Sequence, residues 1–521
     1  MASLILNIEA TASSEIWVTT KNHVSGPPRL PLWGSYWFVL LQNFKFLHIA
    51  FHKLAQKYRT SMLGLYLGPF ATVVVHDYDG IRQVLTRPEF QGRIKPPVLN
   101  MRTYNNNRGI IFTDDQFWVE QRRFALRHMR EFGFGRRFPH LEGVVKEEIQ
   151  DMLDVLALCE ENKGLHILFV EKAQSALTVG LCLEIFSGGL TLVPDLFYTV
   201  VFNTLWLMIA GDRYSTKEHG KLRYFTRQAL RFQKSVDVTG NALVQTPWLR
   251  YFAPYYFGFT DLMETTQNML KYMEEAVAQH KATYSDDHVR DFIDVYLKEM
   301  KKRGKTEEIS SFSDEQLNVV GIDFLFPAST TVTSTLNFAM LFLVNYPEVQ
   351  VKMQQELNAV VGRDRLPTLD DRARLPYNEA FLREVMRKEA VAPLGVLHRA
   401  TEDTELGGYN IPKDTTMILN LWSFHNDPNF WGDPEAFRPE RFLDDKGHLL
   451  KKDYSLPFGA GKRLCAGETF ARHTMFLMLS ALLQNFTVKA APGKPLPSTE
   501  PDLPGIIITK KGMWMKFEPR A

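Results

Sequence analysis

Apolar residues recur at helical spacing along most of the chain. The longest such segment, Leu317–Val344, is apolar on most of its faces and follows Ser313–Gln316, whose spacing matches a capping box. A helix that is hydrophobic all round is buried inside a large domain. The pattern therefore predicts a long central helix that runs through the core.

Shorter helices and a few strands are predicted around this central helix. Thr113–Gln116 matches a second capping box and predicts a helix through Phe117–Met129. Met62–Asp77 and Thr404–Asn420 have strand-like patterns, the first as two short strands around a Gly-Pro turn. Three more helices are predicted downstream: Pro347–Val361, Tyr377–Lys388 and Ala466–Phe486. The predicted fold class is mainly α with small β-sheets.

The N-terminal part of the chain differs from the rest. Leu4–Ile8 is apolar, but Glu9 interrupts it, and a membrane-spanning helix needs ~20 mainly apolar residues. Gly26–Gly34 is rich in proline and therefore stiff. We predict a tail over 1–25 without a convincing membrane anchor, a Pro-rich hinge over 26–34, and a single domain over 35–521.

Composition and charge narrow the classes of function. The 521 residues include 61 basic and 59 acidic side chains, which leaves a net charge of +2. We therefore expect no nucleic-acid partner, and any charged partner surface must be local. The 3 cysteines form no C-x-x-C pair, which disfavours a disulfide framework or a thiolate zinc site. Their scarcity favours a reducing compartment or a cytosol-facing domain.

One cysteine has unusual neighbours. Cys465 lies in Phe458–Thr469, FGAGKRLCAGET, at the predicted start of a helix and after two glycines that permit unusual backbone angles. The helix dipole and the side chains of Lys462 and Arg463 each lower the pKa of a nearby thiol, which predicts a thiolate. A lone thiolate without a histidine base suits an axial ligand of haem iron. The alternative is a small buried cysteine in a tight turn.

The loop around Cys465 resembles the haem-binding signature of the cytochrome P450 family. All fixed positions of that signature are filled: Phe458, Gly459, Gly461, Arg463, Cys465 and Gly467. The resemblance implies the cytochrome P450 fold, with haem b (iron protoporphyrin IX) between the central helix and the cysteine loop. It also implies that Cys465 ligates the iron through sulfur and that Arg463 pairs with a haem propionate. The glycines would let the loop lie against the porphyrin.

A second motif of the family lies upstream of the cysteine loop. Glu384 and Arg387 form an E-x-x-R pair on one face of a predicted helix, and PERF, Pro439–Phe442, follows it. Such a pair is common by chance on exposed helices, but here it stands in the family's order. The resemblance implies a buried charge network of Glu384, Arg387 and Arg441 that holds the core on the haem side.

Further candidate haem contacts come from two other segments. Trp118 and Arg122 are one helical turn apart, so the indole N–H and the guanidinium point toward the same place. The resemblance identifies that place as a haem propionate and makes His398 another propionate donor. Without the resemblance, His398 is an ordinary strand histidine with a hydrogen-bond partner.

The central helix departs from the family at the oxygen-activating motif. Where the family carries an acid before a hydroxyl residue, this chain has Thr330 before Thr331, and Asp323 is two turns away. A general-acid relay contributes ~10²–10⁴ in rate, and we expect Thr331, helped by Thr330, to order a water chain instead. Pro327 is expected to kink the helix, either as a substitute for the family's oxygen groove or as a tolerated kink.

These features predict a haem-thiolate monooxygenase that inserts one oxygen atom of O2 into a lipophilic substrate, by hydroxylation or epoxidation. A sesquiterpenoid, a steroid and a xenobiotic all fit. Two alternatives stay open. One is a reductase-independent isomerase or dehydratase acting on a peroxide. The absence of the family's acid before Thr331 favours this alternative, and the presence of the hydroxyl residue Thr331 argues against it. The other is a haem-binding protein without turnover.

The resemblance is greatest to the microsomal clan of animal drug- and steroid-metabolising and insect hormone enzymes. It implies attachment to the endoplasmic reticulum membrane, facing the cytosol. It also implies electrons from NADPH through NADPH–cytochrome P450 reductase, with cytochrome b5 as a second candidate donor. Six arginines between Arg122 and Arg137 predict either a docking face for that donor or a solvated helix face. The aromatic segment Pro247–Phe259 predicts either a membrane contact or buried core.

Overall fold

The computed structural model describes residues 24–31, 33–95, 97–161, 186–187, 190–193, 195–215, 218–235, 242–305 and 310–520. Residues 1–23, most of the predicted tail, lie outside the described residues. Helices account for most of the described chain and the strands are short. The predicted mainly α class with small sheets is confirmed.

The described helices range from single turns to the 32 residues of the central helix. In chain order they are α1 (Tyr36–Gln42), α2 (Leu47–Tyr58), α3 (Tyr78–Thr86), α4 (Pro97–Met101), α5 (Asp115–Met129), α6 (Pro139–Glu161), α7 (Asp195–Ala210), α8 (His219–Ser235), α9 (Ala242–Gln245), α10 (Phe259–Thr283), α11 (Phe292–Arg303), α12 (Asp314–Asn345), α13 (Pro347–Val360), α14 (Pro376–Lys388), α15 (Leu421–His425), α16 (Pro428–Trp431) and α17 (Glu468–Asn485). The three downstream helices predicted from periodicity correspond to α13, α14 and α17, whose ends agree with the prediction to within two residues.

The described strands are short. They are β1 (Met62–Leu67), β2 (Phe70–Val75), β3 (Gly92–Arg93), β4 (Phe186–Ser187), β5 (Leu190–Val193), β6 (His398–Arg399), β7 (Thr404–Leu406), β8 (Tyr409–Ile411), β9 (Thr416–Leu419), β10 (Phe486–Ala490) and β11 (Met513–Pro519). They form sheets in the orders β1-β2-β9-β6-β3, β10-β11-β5-β4 and β7-β8. The predicted pair of strands around Gly68-Pro69 is confirmed as β1 and β2. Because β3 pairs with β6, Arg93 lies opposite His398.

The central helix α12 begins as predicted. The Ser313 side chain accepts a hydrogen bond from the backbone N–H of Gln316, at 3.2 Å. The helix continues without interruption through Pro327. Among the described residues it is the helix long and apolar enough to cross a membrane, but 83% of its apolar window is buried inside the protein. This burial indicates a core helix.

The capping box predicted for α5 is wrong. Asp114, one residue later than predicted, is the N-cap. The Thr113 hydroxyl donates instead to the carbonyl of Gly109, at 2.7 Å. The Asp114 carboxylate also makes no cap bond, because it pairs with Arg399 at 2.7 Å and accepts the backbone N–H of Arg93 at 3.1 Å. Contacts from distant parts of the chain therefore replace the local cap.

Hydroxyl side chains of α12 bond back to their own helix. The donors, each bonded to a carbonyl three or four residues earlier at 2.7–3.1 Å, are Ser329, Thr330, Thr331, Thr333 and Thr335. Such back-bonding satisfies a hydroxyl inside an apolar core without another partner. We call these residues the hydroxyl ladder.

Candidate active site

The cysteine loop is shaped by glycines ahead of α17. Gly459 and Gly461 have φ of +73° and +67°, a region that disfavours side chains. A Cβ on Gly461 would also clash with the carbonyl oxygen of Leu85, in the last turn of α3. The backbone N–H of Cys465 donates to the carbonyl of Phe458 at 2.9 Å, which closes the loop. The loop thus holds the thiol just before the first turn of α17.

The remaining glycine and the phenylalanine of the signature occupy ordinary environments. Gly467 has a φ of −94°, and a Cβ there would make a normal contact with Phe134 at 3.6 Å. No backbone strain therefore demands a glycine at this position. The ring of Phe458 lies under the guanidinium of Arg472, 4.7 Å from it.

The expectation that the polypeptide alone makes Cys465 a thiolate is wrong. Burial raises the pKa of the Cys465 thiol, and the backbone N–H of Gly467 and the charge of Arg122 only partly oppose this effect. The side chain is accessible on one side, but surrounding protein removes most of the water that would solvate a charge. Lys462 is exposed, so solvent screens its charge from the thiol. A coordinated metal ion would deprotonate such a thiol outright.

Cationic and N–H donor groups gather beside the thiol. The guanidinium of Arg463 stacks on the ring of Trp118 at 3.6 Å. Its Nε and Nη2 donate to the carbonyl of Gln91 at 3.0 and 2.8 Å. Arg463 Nη1 and Trp118 Nε1 are buried, and no described residue accepts a hydrogen bond from either atom. The Nη2 of Arg122 donates to the carbonyl of Leu464, next to the cysteine.

The electrostatics of this cluster favour an anionic ligand. Burial and the charge of Arg122 lower the pKa of Arg463 to about 9. Burial, together with the charges of Arg463 and Arg122, lowers the pKa of Arg93 well below its usual value. Cations that destabilise one another in this way gain from a carboxylate between them. The buried donors without acceptors therefore fit the propionates of a haem.

His398 belongs to the same neighbourhood. Its Nδ1 lies 2.7 Å from the carbonyl of Phe90, so Nδ1–H donates there and Nε2 faces elsewhere. Burial, with the charges of Arg93 and Arg463, lowers the pKa of His398 well below its usual value, and the ring is neutral. Sequence reasoning missed Arg93, which reaches the cluster only because β3 pairs with β6.

The predicted charge network joins α14 to the segment Pro439–Phe442. Nε and Nη2 of Arg387 donate to the two carboxylate oxygens of Glu384 at 2.7 and 2.8 Å. Nε of Arg441 donates to the same carboxylate at 3.0 Å. The side chains of Glu384 and Arg387 have no exposed surface, and that of Arg441 is 5% exposed. The structure thus brings all three residues together.

The hydroxyl groups of Thr330 and Thr331, at the position where the central helix differs from the family's oxygen-activating motif, differ in exposure. The Oγ1 of Thr331 donates to the carbonyl of Pro327 at 2.9 Å, and this side chain is only partly buried. Thr330 is fully buried, and its Oγ1 donates to the carbonyls of Phe326 and Pro327 at 3.0 and 3.2 Å. Thr331 is therefore the more accessible hydroxyl.

The nearest acid on α12 is engaged by a distant loop. Asp323 pairs with Nη1 of Arg102 at 2.9 Å. Its other oxygen accepts the backbone N–H groups of Ile110 and Ile111 at 2.7 and 3.1 Å. Sequence reasoning missed Arg102, because no motif marks it.

Comparisons with known proteins match this arrangement. The family model described as Cytochrome P450 matches residues 24–517. Farnesoate epoxidase of Bombyx mori is 35% identical to this chain over 95% of the chain and 93% of that protein. Probable cytochrome P450 305a1 of Drosophila melanogaster is 33% identical over 91% of the chain and 89% of its own length. Cytochrome P450 2B15 of Rattus norvegicus is 32% identical over 90% of the chain and 88% of its own length.

The mainly helical fold and the cysteine loop beside buried cations define a haem-dependent oxidoreductase. The chain belongs to the cytochrome P450 family, whose cofactor is haem, iron protoporphyrin IX, and it is a haem monooxygenase.

Proposed function

We propose that this chain inserts one oxygen atom of O2 into a lipophilic substrate, with electrons from NADPH delivered by a flavoprotein reductase, and that Cys465 is the axial ligand. The observation that carries the proposal is the thiol in a glycine-shaped loop next to buried donors that have no protein acceptor. When bound, the haem supplies the iron chemistry that activates dioxygen.

The residues around the loop would bind and orient that haem. Nη1 of Arg463 and Nε1 of Trp118 are the donors that lack an acceptor in the described chain, and Arg122 and Nε2 of His398 lie in the same cluster. All four would bind the propionates, which would neutralise a cluster of mutually repelling cations. The glycines, of which Gly461 is the most constrained, would keep the loop close to the porphyrin.

Thr331 would assist proton delivery. Its hydroxyl hydrogen is committed to the carbonyl of Pro327, so the oxygen lone pairs are free to accept a hydrogen bond from water. Rotation of the hydroxyl would pass a proton onward from Oγ1. Thr330 is fully buried and bonded to its own helix, which supports an indirect contribution by keeping this turn in place.

A basic face next to the cysteine loop suits an acidic electron donor. Its exposed members are Arg123, Arg127, Arg130, Arg136 and Lys462. Arg137 is already paired with Asp370 and Glu142 and contributes less free charge. We propose that NADPH–cytochrome P450 reductase, with cytochrome b5 as a second donor, docks here, since clustered cations steer an acidic partner.

An aromatic surface supports attachment to a membrane. Trp33 links α1 to the segment at Pro247–Tyr251, with ring centroids 6.0 Å from Trp37 and 5.8 Å from Trp248. The large exposed side chains here are Trp37, Leu41, Phe44, Trp248, Tyr251, Phe252, Tyr255 and Tyr256. We call them the aromatic surface. Their exposure disagrees with the buried-core alternative, and such side chains favour the lipid–water interface. We propose that the protein faces the cytosol from the endoplasmic reticulum membrane.

The test is spectroscopic and kinetic. The haem-loaded protein, reduced and bound to carbon monoxide, is expected to show the red-shifted Soret band of thiolate ligation, and Cys465→Ser is expected to lose that band while retaining the fold. With reductase added, consumption of NADPH and O2 should accompany product formation from a lipophilic substrate. A normal thiolate band in Cys465→Ser would overturn the assignment of the ligand.

A second candidate function rests on the missing acid before Thr331. An isomerase or dehydratase that rearranges a peroxide needs neither reductase nor delivered protons. Conversion of a lipid hydroperoxide without reductase, together with no turnover in its presence, would favour this second function over the monooxygenase.

A further inference from the structure

His280, near the C-terminal end of α10, is a buried histidine that the proposed reaction does not use. Both of its ring nitrogens lie within hydrogen-bond distance of an oxygen. Nδ1 is 2.8 Å from the carbonyl of Ala276, and Nε2 is 2.9 Å from the carboxylate of Asp291. The residue is 8% exposed, and the side chain of Asp291 has no exposed surface. The contact therefore joins α10 to the N-cap of α11 away from solvent.

The two acceptors determine the charge of the ring. A carbonyl oxygen and an ionised carboxylate can only accept a hydrogen bond, so both nitrogens of His280 have to carry a hydrogen. A neutral imidazole carries a hydrogen on one nitrogen and would leave two lone pairs facing each other at the other contact. The geometry is thus that of a buried imidazolium paired with a carboxylate, whose hydrogen bonds are stronger than those between neutral groups.

The neighbouring charges leave Asp291 as the counter-ion of the ring. In the described chain, the charged groups that face His280 are Asp291, Asp294 and Arg290, all at the start of α11. Nε and Nη2 of Arg290 donate to the two carboxylate oxygens of Asp294 at 2.6 and 2.8 Å, which occupies that acid. Gly211, directly after α7, approaches with its backbone, since a Cβ there would lie 2.7 Å from Oδ2 of Asp291.

The pairing gives the stability of this contact a pH dependence of known sign. Burial alone would lower the pKa of His280, but the hydrogen bond and charge of Asp291, with the carbonyl of Ala276, outweigh it and raise the pKa above its usual value. The stabilisation is therefore fully present below the usual pKa of about 6.5. It is lost as the pH rises through the raised pKa of the folded protein.

Asp291 also holds the beginning of α11. Its Oδ1 accepts the backbone N–H of Asp294 at 3.0 Å, which caps the helix. The next residue, Phe292, packs against the central helix, with its ring centroid 6.0 Å from that of Phe324. We call His280, Asp291 and the first turn of α11 the α10–α11 joint. A displaced Asp291 would loosen both the cap and the packing against α12.

We propose that the α10–α11 joint is a pH-sensitive switch, which is closed while both ring nitrogens of His280 carry a hydrogen and opens locally when one proton is lost to solvent. The inference goes beyond the proposed function, because it concerns the coupling between helices and requires neither substrate nor turnover.

The test is hydrogen exchange followed by mass spectrometry on the haem-loaded full chain. Exchange of residues 292–295 is measured at about pH 6 and about pH 9, on either side of the expected transition. The reference is His280→Gln, whose amide keeps a donor for Asp291 but does not titrate. Dividing the rate in the unmodified protein by the rate in this variant at the same pH removes the intrinsic pH dependence of exchange. The ratio is expected to rise about fivefold between the two pH values, because a hydrogen bond to a charged group is stronger than a neutral one. An unchanged ratio would overturn the proposal.

Two further variants keep the test decisive. His288→Gln is the matched control, since His288 lies in the same connection between α10 and α11 but is exposed, and it should keep the pH dependence of the unmodified protein. Asp291→Asn keeps an oxygen for the cap and should lose the pH dependence. In that variant Nε2 of a neutral His280 accepts from the new amide while Nδ1–H still donates to Ala276. Full pH dependence in Asp291→Asn would overturn the proposal, even if His280→Gln failed to fold.

The first turn of α12, capped by Ser313, reports on general effects of pH in the same experiment. Its exchange ratio is expected to stay constant between the two pH values. An equal change at α11 and α12 would show loosening of the whole molecule and would overturn the local switch.

Discussion

Glu384 is a carboxylate with no exposed surface, surrounded by donors. Arg387 binds both of its oxygens, and Nε of Arg441 and the backbone N–H of Arg438 bind one of them at 3.0 and 2.9 Å. Removing one partner of such a pair leaves an uncompensated buried charge. The network therefore stabilises the fold as a unit, and its loss is costly.

Glu384→Ala is expected to lower the free energy of unfolding by about 3–5 kcal/mol, because Arg387 would stay buried without its partner. Urea unfolding followed by circular dichroism measures the change. The control is Glu435→Ala, which removes the acid from an ion pair at the end of the same helix, with Lys388, where the carboxylate is 86% exposed. That change should stay within about 0.5 kcal/mol. A similarly small effect for Glu384→Ala would contradict the buried network.

The two threonines of the oxygen motif are expected to differ. Thr331→Val should lower the coupling of NADPH oxidation to product about tenfold, because it removes the accessible hydroxyl that would relay protons. Thr330→Val removes a fully buried hydroxyl that bonds only to its own helix, and should change coupling much less. Product formed per NADPH consumed is the measurement. Equal losses in both variants would argue against a relay centred on Thr331.

Single residues also show what a sequence can and cannot predict. The stack of Arg463 on Trp118 joins two residues that the resemblance to the family had each assigned to the haem propionates. The pKa of Cys465 was predicted in the wrong direction, because burial of a thiol depends on tertiary packing that the neighbouring residues do not encode. Chemistry set by residue type was predictable, whereas chemistry set by the surroundings was not.

Among the elements, the cysteine loop depends on its approach to α3. Gly461 combines a positive φ with a position at which a Cβ would lie 2.3 Å from the carbonyl oxygen of Leu85. Because backbone atoms cannot move aside as a flexible side chain can, a Cβ at this position has to displace α3 or the loop. The loop and α3 are thus expected to behave as one unit.

Gly461→Ala is expected to lower the free energy of unfolding of the apoprotein by at least about 2 kcal/mol, from backbone strain and the clash with Leu85. Gly467→Ala is the matched comparison, since its φ is negative and its Cβ would meet Phe134 at 3.6 Å. It should leave apoprotein stability nearly unchanged. Thermal unfolding of both variants without haem provides the measurement, and equal stability of the two would refute the strain argument.

The helix ends show why some elements were predicted well. Ser313 caps α12 as expected, since all the atoms involved lie within four residues. The α5 cap was mispredicted because the Thr113 hydroxyl donates to the carbonyl of Gly109, while Arg399, 285 residues downstream of Asp114, binds the carboxylate of Asp114. Likewise, the pairing of Arg102 with Asp323 spans 221 residues and has no local signal. Periodicity and caps are local, but ion pairs between elements require the fold.

At the scale of the whole molecule, a net charge of +2 conceals an uneven distribution. The exposed arginines of α5 are on the same helix as Arg122, which bonds to Leu464 in the cysteine loop. Other surface cations, such as Lys301 and Arg438, are paired with acids. Nearly neutral proteins with one charged face associate by steering, at rates that depend on ionic strength.

The double variant Arg127→Glu and Arg130→Glu is expected to slow electron transfer from the reductase about tenfold at low ionic strength, because it reverses the field that would guide the donor. Stopped-flow reduction under carbon monoxide measures the rate. Lys494→Glu, an exposed charge in the loop after β10, serves as control and should have little effect. An unchanged rate in the double variant would place the docking surface elsewhere.

The aromatic surface leads to a prediction for lipid binding. Phe252 and Tyr255 are 77% and 83% exposed, and each would gain about 1–2 kcal/mol on entering an interface. Replacing both with serine should weaken binding to phosphatidylcholine–phosphatidylserine vesicles about tenfold, as measured by sedimentation. Phe430→Ser, at an exposed aromatic outside this surface, should not, and equal weakening by that control would refute the assignment.

The hydroxyl ladder of α12 has a consequence for divergence. The hydroxyls of Ser329, Thr333 and Thr335 are buried and bond to their own helix. Replacing one of these residues with alanine or valine removes the hydroxyl itself and leaves no buried donor without an acceptor, so the free energy of unfolding should change little. Such positions can therefore exchange polar and apolar residues during evolution with little effect on stability. Related chains can reach different sequences along this helix without an intermediate that fails to fold. At the neighbouring Thr331, by contrast, the choice of residue would be constrained by its proposed role in proton delivery.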